Sequence, residues 1–215
     1  MLDLKTEKEY FAAGYKYIGG VDEAGRGPLA GPVVAACVVI DANFVIDEAD
    51  LELVNDSKKL SPTKREKLFG IIKNKVLAVE IGVVDNLMID KINILQASFL
   101  AMRKAIRKVK ISPDYILLDG GFKIPKLDIP QTAIIKGDAQ VFCIAAASII
   151  AKVSRDYLMT EFDKQYPNYD FKTHKGYGTK VHLEKIAAFG PCPIHRFSFA
   201  PLKPNKPKRP AKFTK

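Results

Sequence analysis

The sequence predicts an α/β protein in which a mixed β-sheet carries helices on its faces. Three apolar, β-prone segments come first, at residues 17–21, 32–40 and 76–84. Two shorter apolar segments, residues 115–118 and 134–135, then alternate with long helical patterns. Consecutive strands followed by strands that alternate with helices are typical of a mixed sheet covered by helices.

The composition indicates a single domain, and its charge favours a polyanionic partner, although solubility alone would also explain the charge. The chain has 215 residues, 47% of them hydrophobic, which is enough for one sizeable core. Its formal net charge of +10 favours nucleic acid as the partner, with an acidic membrane surface as the second choice. No apolar run has membrane-spanning length, and no signal-peptide pattern is present. The three cysteines form no CxxC pair, so we expect a reducing, cytoplasmic setting.

The helices are predicted from caps and from hydrophobic spacing. Ser61 is expected to cap a helix over residues 63–73, and Thr179 a helix that ends at Phe189. Apolar residues recur at helical spacing through residues 90–109, which predicts one long amphipathic helix there. An alanine-rich helix is expected over residues 139–159. Three parts of the chain are therefore expected: a lead-in at 1–16, one domain with a C-terminal helical part at 17–202, and a basic, disordered tail at 203–215.

Carboxylates follow three of the apolar segments. Asp22 and Glu23 end the first segment, Asp119 follows YILL, and Asp138 lies in KGDA. Taken alone, Asp119 could be a turn residue and Asp138 a helix N-cap. Strand ends are where α/β sheets form ligand sites, and clustered carboxylates suit Mg²⁺ or Mn²⁺. Because neighbouring residues of a strand point to opposite faces, we expect the first strand to end or twist at Asp22.

The string at residues 17–40 resembles the signature of ribonuclease HII. Here Asp22-Glu23 is followed by Gly25-Arg26-Gly27, and IAAASIIAKVSRD at residues 144–156 matches the family as well. The resemblance extends from about Tyr17 to Phe199. It implies a ribonuclease H-like, mixed five-stranded sheet flanked by helices, with a C-terminal helical extension.

The resemblance also implies a function. It implies a metal-dependent endoribonuclease that hydrolyses the RNA strand of RNA–DNA hybrids and nicks 5′ of single ribonucleotides in duplex DNA, leaving 5′-phosphates. Two Mg²⁺ or Mn²⁺ ions would serve the reaction, and a monomer is expected. The catalytic, metal-binding residues would be Asp22, Glu23, Asp119 and Asp138.

Six further residues would contact the nucleic acid. Lys58 and Lys59 would contact phosphates, and the backbone of Gly25, Arg26 and Gly27 would contact ribose 2′-hydroxyls. The resemblance implies that Tyr177 senses the DNA nucleotide that follows the ribonucleotide.

Alternative hypotheses are a different nuclease of the same fold and a non-catalytic binding protein. Junction resolvases and ribonuclease HIII belong to the first class, but ribonuclease HIII has a large N-terminal domain, and a short lead-in precedes Tyr17 here. A pure phosphate binder gains nothing from four carboxylates. Cys192 and His195 form half of a zinc motif, which we do not adopt as a zinc site.

Overall fold

The computed structural model of the chain describes residues 2–55 and 61–203. Five strands form its sheet: β1 (Tyr17–Ala24), β2 (Val33–Asp41), β3 (Ala78–Val84), β4 (Tyr115–Asp119) and β5 (Gln131–Ile134). The helices are α1 (Lys5–Ala12), α2 (Glu48–Asn55), α3 (Pro62–Lys75), α4 (Asn86–Ile92), α5 (Ile94–Lys108), α6 (Phe142–Gln165), α7 (Phe171–His174) and α8 (Lys180–Phe189). In these ranges, no helix combines the length and apolarity needed to cross a bilayer.

The sheet is mixed, in the order β3-β2-β1-β4-β5. The first three strands are antiparallel neighbours, while β4 and β5 run parallel to β1. This arrangement confirms the predicted α/β class and the five strands. It also directs the carboxyl ends of β1, β4 and β5 to the same edge of the sheet.

A helix covers each face of the sheet. On one face, α6 packs its alanines and isoleucines against β1 and β2, and on the other face α5 packs against β2 and β3. Gly20 makes the first contact possible, because a Cβ atom there would lie 2.1 Å from the backbone of Cys143. The alanine-rich sequence of α6 therefore meets a complementary glycine on the central strand.

The predicted helix over residues 90–109 is wrong, because two helices occupy this region. Asn93 has a φ of 67° and separates α4 from α5. Its ψ of 164° combines with this φ to give a backbone conformation that residues other than glycine rarely adopt. Its side chain also accepts a hydrogen bond from Gln96 N at 3.1 Å, so it caps α5. The apolar spacing continues across the break and conceals it.

Two predicted segments are displaced. The fifth strand lies at Gln131–Ile134 rather than at residues 134–135, and α6 begins at Phe142 after a separate 3₁₀ turn, Gly137–Ala139. The predicted caps are confirmed: Ser61 Oγ accepts from Lys64 N at 3.4 Å, and Thr179 Oγ1 accepts from His182 N at 3.3 Å.

The lead-in contributes a buried carboxylate to the core. Glu7 of α1 is 0% exposed, and its Oε1 accepts a hydrogen bond from Cys143 N at 2.9 Å. Cys143 lies in the first turn of α6, where backbone amides have no partner within the helix. Glu7 therefore caps α6 from a distant part of the chain. Burial raises the pKa of the Glu7 carboxyl, and this effect outweighs the hydrogen bond from Cys143, which lowers it.

Replacing Glu7 with alanine should destabilise the fold by about 1–3 kcal/mol, because the Cys143 amide would lose its buried acceptor. Thermal unfolding at pH 7 measures this loss. Glu7→Gln is the matched control: it keeps the acceptor and removes a charge whose raised pKa makes ionisation unfavourable to the folded state at neutral pH. Glu7→Gln should therefore lose less stability than Glu7→Ala, although its –NH₂ group would replace Oε2, which is buried without a hydrogen-bond partner. Equal losses in both variants would contradict the capping role.

Candidate active site

The carboxylates of three strand ends meet at one edge of the sheet. Strands β1 and β4 are parallel with Val21 opposite Leu118, so the next residues along them are Asp22 and Asp119. The backbone N–H of Gly137 donates to Asp119 Oδ1 at 2.7 Å. This bond ties the 3₁₀ turn that carries Asp138 to the end of β4. The structure thus brings Asp22, Glu23 and Asp119 together and places Asp138 in a turn that is bonded to Asp119.

The first strand does not end at Asp22, which was one of the two expected alternatives, but continues to Ala24. Asp22 and Glu23 continue the ladder with β2, opposite Ala36 and Ala35 respectively. Adjacent strand residues point to opposite faces. Accordingly, Asp22 interacts with Ser148 of α6, while Glu23 forms an ion pair with Arg26 at 3.1 Å.

The charges of this region repel one another. Asp22 is 6% exposed, and burial, followed by the charges of Glu23 and Asp119, raises its pKa well above the usual range. Burial also raises the pKa of Glu23, with Asp119 adding to the effect and Arg26 opposing it. A cation at this edge would relieve both the burial cost and the repulsion.

The side chains are engaged in internal contacts rather than turned toward a shared ion. Among the residues that the structure describes, no three His, Cys, Asp or Glu side chains are arranged to hold a metal ion. Asp22 Oδ1 accepts from the backbone N–H of Glu23 at 2.7 Å, and Glu23 Oε1 accepts from Arg26. The donors nevertheless fit a divalent cation chemically, since they are hard carboxylate oxygens gathered at one edge.

An open cavity of about 430 Å³ lies beside these carboxylates, and Glu23 lines its wall. Its wall includes residues 23–27, which contain the predicted glycine turn, and Tyr177, which is 45% exposed. Gly25 has a φ of 97°, and a Cβ atom there would lie 2.2 Å from Arg155 Nε. Glycine is therefore required at this position for both reasons. The predicted phosphate contacts, Lys58 and Lys59, lie outside the described residues.

Three residues of this cavity were missed from the sequence. Arg65 of α3 and Ser148 and Lys152 of α6 also line its wall. Ser148 and Lys152 are four residues apart, so they lie on the same face of α6. This spacing could have identified them once Asp22 was placed beside α6. Lys152 also pairs with Asp156 at 2.6 Å.

Arg196 lies in the protein interior. It is 0% exposed, as is the neighbouring His195. His195 Nε2 lies 3.1 Å from His182 Nε2, and His182 Nδ1 lies 2.8 Å from the carbonyl oxygen of Tyr177. These histidines pack around Phe171 and support the Tyr177 backbone. Their nitrogens bond to one another and to the backbone, which does not support the zinc alternative.

In the absence of divalent ions, Asp22→Asn should raise thermal stability at neutral pH. The folded state binds a proton at Asp22 more tightly than the unfolded state, so ionisation costs stability as pH rises above about 4. Asparagine removes that cost and keeps an oxygen for the Glu23 amide. We therefore expect the variant to melt at a higher temperature than wild type at pH 7.5 in EDTA. Melting curves should converge near pH 4, and a variant less stable than wild type at pH 7.5 would contradict the repulsion.

Comparisons with known proteins identify the family to which the sequence is similar. A family model described as Ribonuclease HII matches residues 19–202. Ribonuclease HII of Caldicellulosiruptor bescii is 54% identical over 195 residues, which cover 91% of this chain and 92% of that protein.

Two solved structures share the fold. The ribonuclease H2 of Pyrococcus horikoshii OT3 superposes with a TM-score of 0.71 at 30% identity, covering 86% of this chain and 95% of that one. Bst-RNase HIII in complex with Mn²⁺ superposes with a TM-score of 0.69 at 20% identity, covering 87% and 68% of the two chains. The ribonuclease H-like fold, expected from the resemblance, is thereby confirmed.

Proposed function

The chain belongs to the ribonuclease HII family of ribonuclease H endonucleases, which act on RNA–DNA substrates, and we propose that it also nicks duplex DNA on the 5′ side of a lone ribonucleotide. The observation that carries this proposal is the position of Asp22, Glu23 and Asp119. They lie at one edge of the sheet, where Glu23 lines a cavity whose wall also includes the glycine turn, basic side chains and Tyr177. We assign the reaction to residues 17–202.

We propose that Asp22, Glu23, Asp119 and Asp138 hold two divalent cations, Mg²⁺ or Mn²⁺. When bound, such ions activate water and stabilise the oxygen that leaves the phosphodiester. Support comes from the hard oxygen donors, from their mutual repulsion and from the Mn²⁺ bound by a protein of the same fold. To serve as a ligand, Glu23 Oε1 would give up its bond to Arg26, which would then be able to meet a phosphate.

The glycine turn and Tyr177 are the groups that we propose to recognise the ribonucleotide and the nucleotide that follows it, and we call them the reading groups. Peptide groups of residues 25–27 line the cavity and can hydrogen-bond a ribose 2′-hydroxyl, which DNA lacks. The Tyr177 ring faces the turn, since a Cβ atom added at Gly27 would lie 3.9 Å from it. An exposed ring there can stack on the next deoxyribose. Arg65 and Lys152, which also line the cavity, are suited to phosphates.

A panel of substrates separates this proposal from the alternatives. The protein in Mg²⁺ would be incubated with four labelled duplexes: an RNA–DNA hybrid, a duplex with one ribonucleotide, an all-DNA duplex and a four-way DNA junction. We expect cleavage of the first two. Cleavage of the junction alone would favour a resolvase, and binding without any cleavage would favour a non-catalytic relative.

At a lone ribonucleotide, the nick should lie on its 5′ side. The ribonucleotide would then remain at the 5′ end of the downstream DNA and carry the 5′-phosphate. The reason is that the turn holds the ribose while Tyr177 contacts the deoxyribose that follows. High-resolution mapping of both labelled strands measures the position. A nick on the 3′ side would show that the two reading groups are assigned in the wrong order.

A further inference from the structure

Two buried arginines lie directly beneath the wall of the cavity. Arg155 of α6 is 1% exposed, and Arg196, in the segment after α8, is 0% exposed. Among the described residues, neither forms an ion pair within 4 Å of a carboxylate oxygen. Buried cations without such a partner need several strong acceptors. Backbone carbonyls supply them here.

Arg196 is bonded to the glycine turn and to the chain that follows it. Its Nη2 donates to the carbonyl oxygens of Gly25 at 2.7 Å and Pro32 at 3.2 Å. Its Nη1 donates to Arg26 O at 3.0 Å, and its Nε donates to Gly31 O at 2.9 Å. A planar guanidinium can satisfy carbonyls that diverge in this way, whereas a lysine ammonium offers a single point of charge.

Arg155 connects the same chain to the Tyr177 loop, residues 175–179. Its Nε donates to Pro32 O at 2.9 Å and its Nη2 to Ala30 O at 3.1 Å, while its Nη1 donates to Lys175 O at 3.0 Å. The guanidinium carbon also lies 6.0 Å from the centre of the Tyr177 ring. Arg155 is therefore bonded to the chain that follows the glycine turn and to the loop that carries Tyr177.

Helix α4 anchors the segment that carries Arg196. Asn86 Nδ2 donates to His195 O at 2.9 Å, and Asp90 Oδ2 accepts from the backbone N–H of Phe197 at 2.8 Å. Arg196 N itself donates to Leu29 O at 2.8 Å. The guanidinium thus extends from a segment that is held on both sides of it.

We propose that Arg155 and Arg196 are positioning residues that hold the glycine turn and the Tyr177 loop as one rigid unit. The unit keeps a set separation between the peptide groups that read a 2′-hydroxyl and the ring that reads the next nucleotide. This inference rests on the proposed function for its biological meaning. The rigid coupling is a property of the protein alone and can be measured without substrate.

Hydrogen exchange measured by mass spectrometry tests the coupling. The Arg→Lys variants retain the positive charge and lose the several divergent N–H donors of the guanidinium. Arg155→Lys should accelerate exchange at least about tenfold in both residues 25–32 and residues 175–179. Arg196→Lys should accelerate it mainly in residues 25–32. Arg107→Lys, on the exposed face of α5, is the matched control and should change neither segment. Unchanged exchange in both segments of a folded Arg155→Lys protein would overturn the proposal.

Binding provides the functional readout. In EDTA, the affinity ratio between a duplex with one ribonucleotide and its all-DNA counterpart should fall at least about fivefold in either Arg→Lys variant. Affinity for the all-DNA duplex should stay within about twofold of wild type. If the variants melt at a lower temperature but keep the wild-type affinity ratio, both arginines stabilise the fold without positioning the reading groups, and the proposal is wrong. Should one variant fail to fold, the other still tests the proposal, because each arginine bonds to residues 25–32 independently.

Discussion

Asp22→Asn should abolish cleavage of ribonucleotide-containing duplexes in Mg²⁺ and leave their binding intact or tighter. The substitution removes one of the proposed metal ligands, and with it the means of activating water. It also removes a negative charge beside the cavity that is proposed to receive phosphates. We expect the single-turnover rate to fall at least about 10³-fold, which equals about 4 kcal/mol of transition-state stabilisation. Quenched-flow cleavage and fluorescence anisotropy measure the two effects separately.

Asp138→Asn should behave in the same way, since its 3₁₀ turn is bonded to Asp119 through Gly137. Asp156→Asn is the matched control: it removes an aspartate that pairs with Lys152 on the cavity wall and should reduce the rate much less. Near-normal turnover by Asp22→Asn or Asp138→Asn would contradict the metal-site assignment. Loss of folding is not expected from Asp22→Asn, because asparagine preserves the hydrogen-bond acceptor.

Tyr177→Ala should depress cleavage at a lone ribonucleotide more than cleavage of a long RNA–DNA hybrid. The exposed ring lies across from Gly27, where it can stack on the deoxyribose after the ribonucleotide. Crowding against that sugar would reject a second 2′-hydroxyl, so the ring favours an RNA-to-DNA junction. Losing an aromatic stacking platform costs about 1–3 kcal/mol of binding per base. Both substrates should be assayed side by side in wild type and variant.

Tyr177→Phe is the matched control, because it keeps the ring and removes the hydroxyl. It should cleave both substrates at rates close to those of wild type if stacking is the operative contact. Equal losses on the two substrates in Tyr177→Ala would show that the ring does not read the junction. A loss in Tyr177→Phe as large as that in Tyr177→Ala would assign the effect to the hydroxyl instead.

Local signals were sufficient for much of the fold. Apolar runs placed β1 to β4 within a few residues, and short polar residues before helical patterns identified the caps at Ser61 and Thr179. The alanine-rich run predicted the helix that packs against the central strand. Apolar segments followed by carboxylates suggested a metal site, but the resemblance to ribonuclease HII, rather than strand position alone, selected Asp22, Glu23, Asp119 and Asp138.

Features that depend on distant contacts could not be predicted in this way. Asn93 breaks a helix whose apolar spacing continues through it, and Glu7 caps a helix that starts 135 residues later (7 to 142). Arginine is usually a surface residue, yet Arg155 and Arg196 are buried. Their hydrogen bonds are accepted by backbone carbonyls of the glycine turn and of the chain that follows it. These hydrogen-bond partners are brought together by the tertiary structure, so local sequence periodicity cannot predict them.

The most direct test of the proposed function is cleavage of one duplex that contains a single ribonucleotide. Single-turnover rates would be measured in Mg²⁺ and in EDTA, with an otherwise identical all-DNA duplex in parallel. We predict a Mg²⁺-dependent nick at the ribonucleotide, none in EDTA and none in the all-DNA duplex. A rate that is the same with and without Mg²⁺, or a duplex that stays intact while long hybrids are cut, would contradict the proposed function.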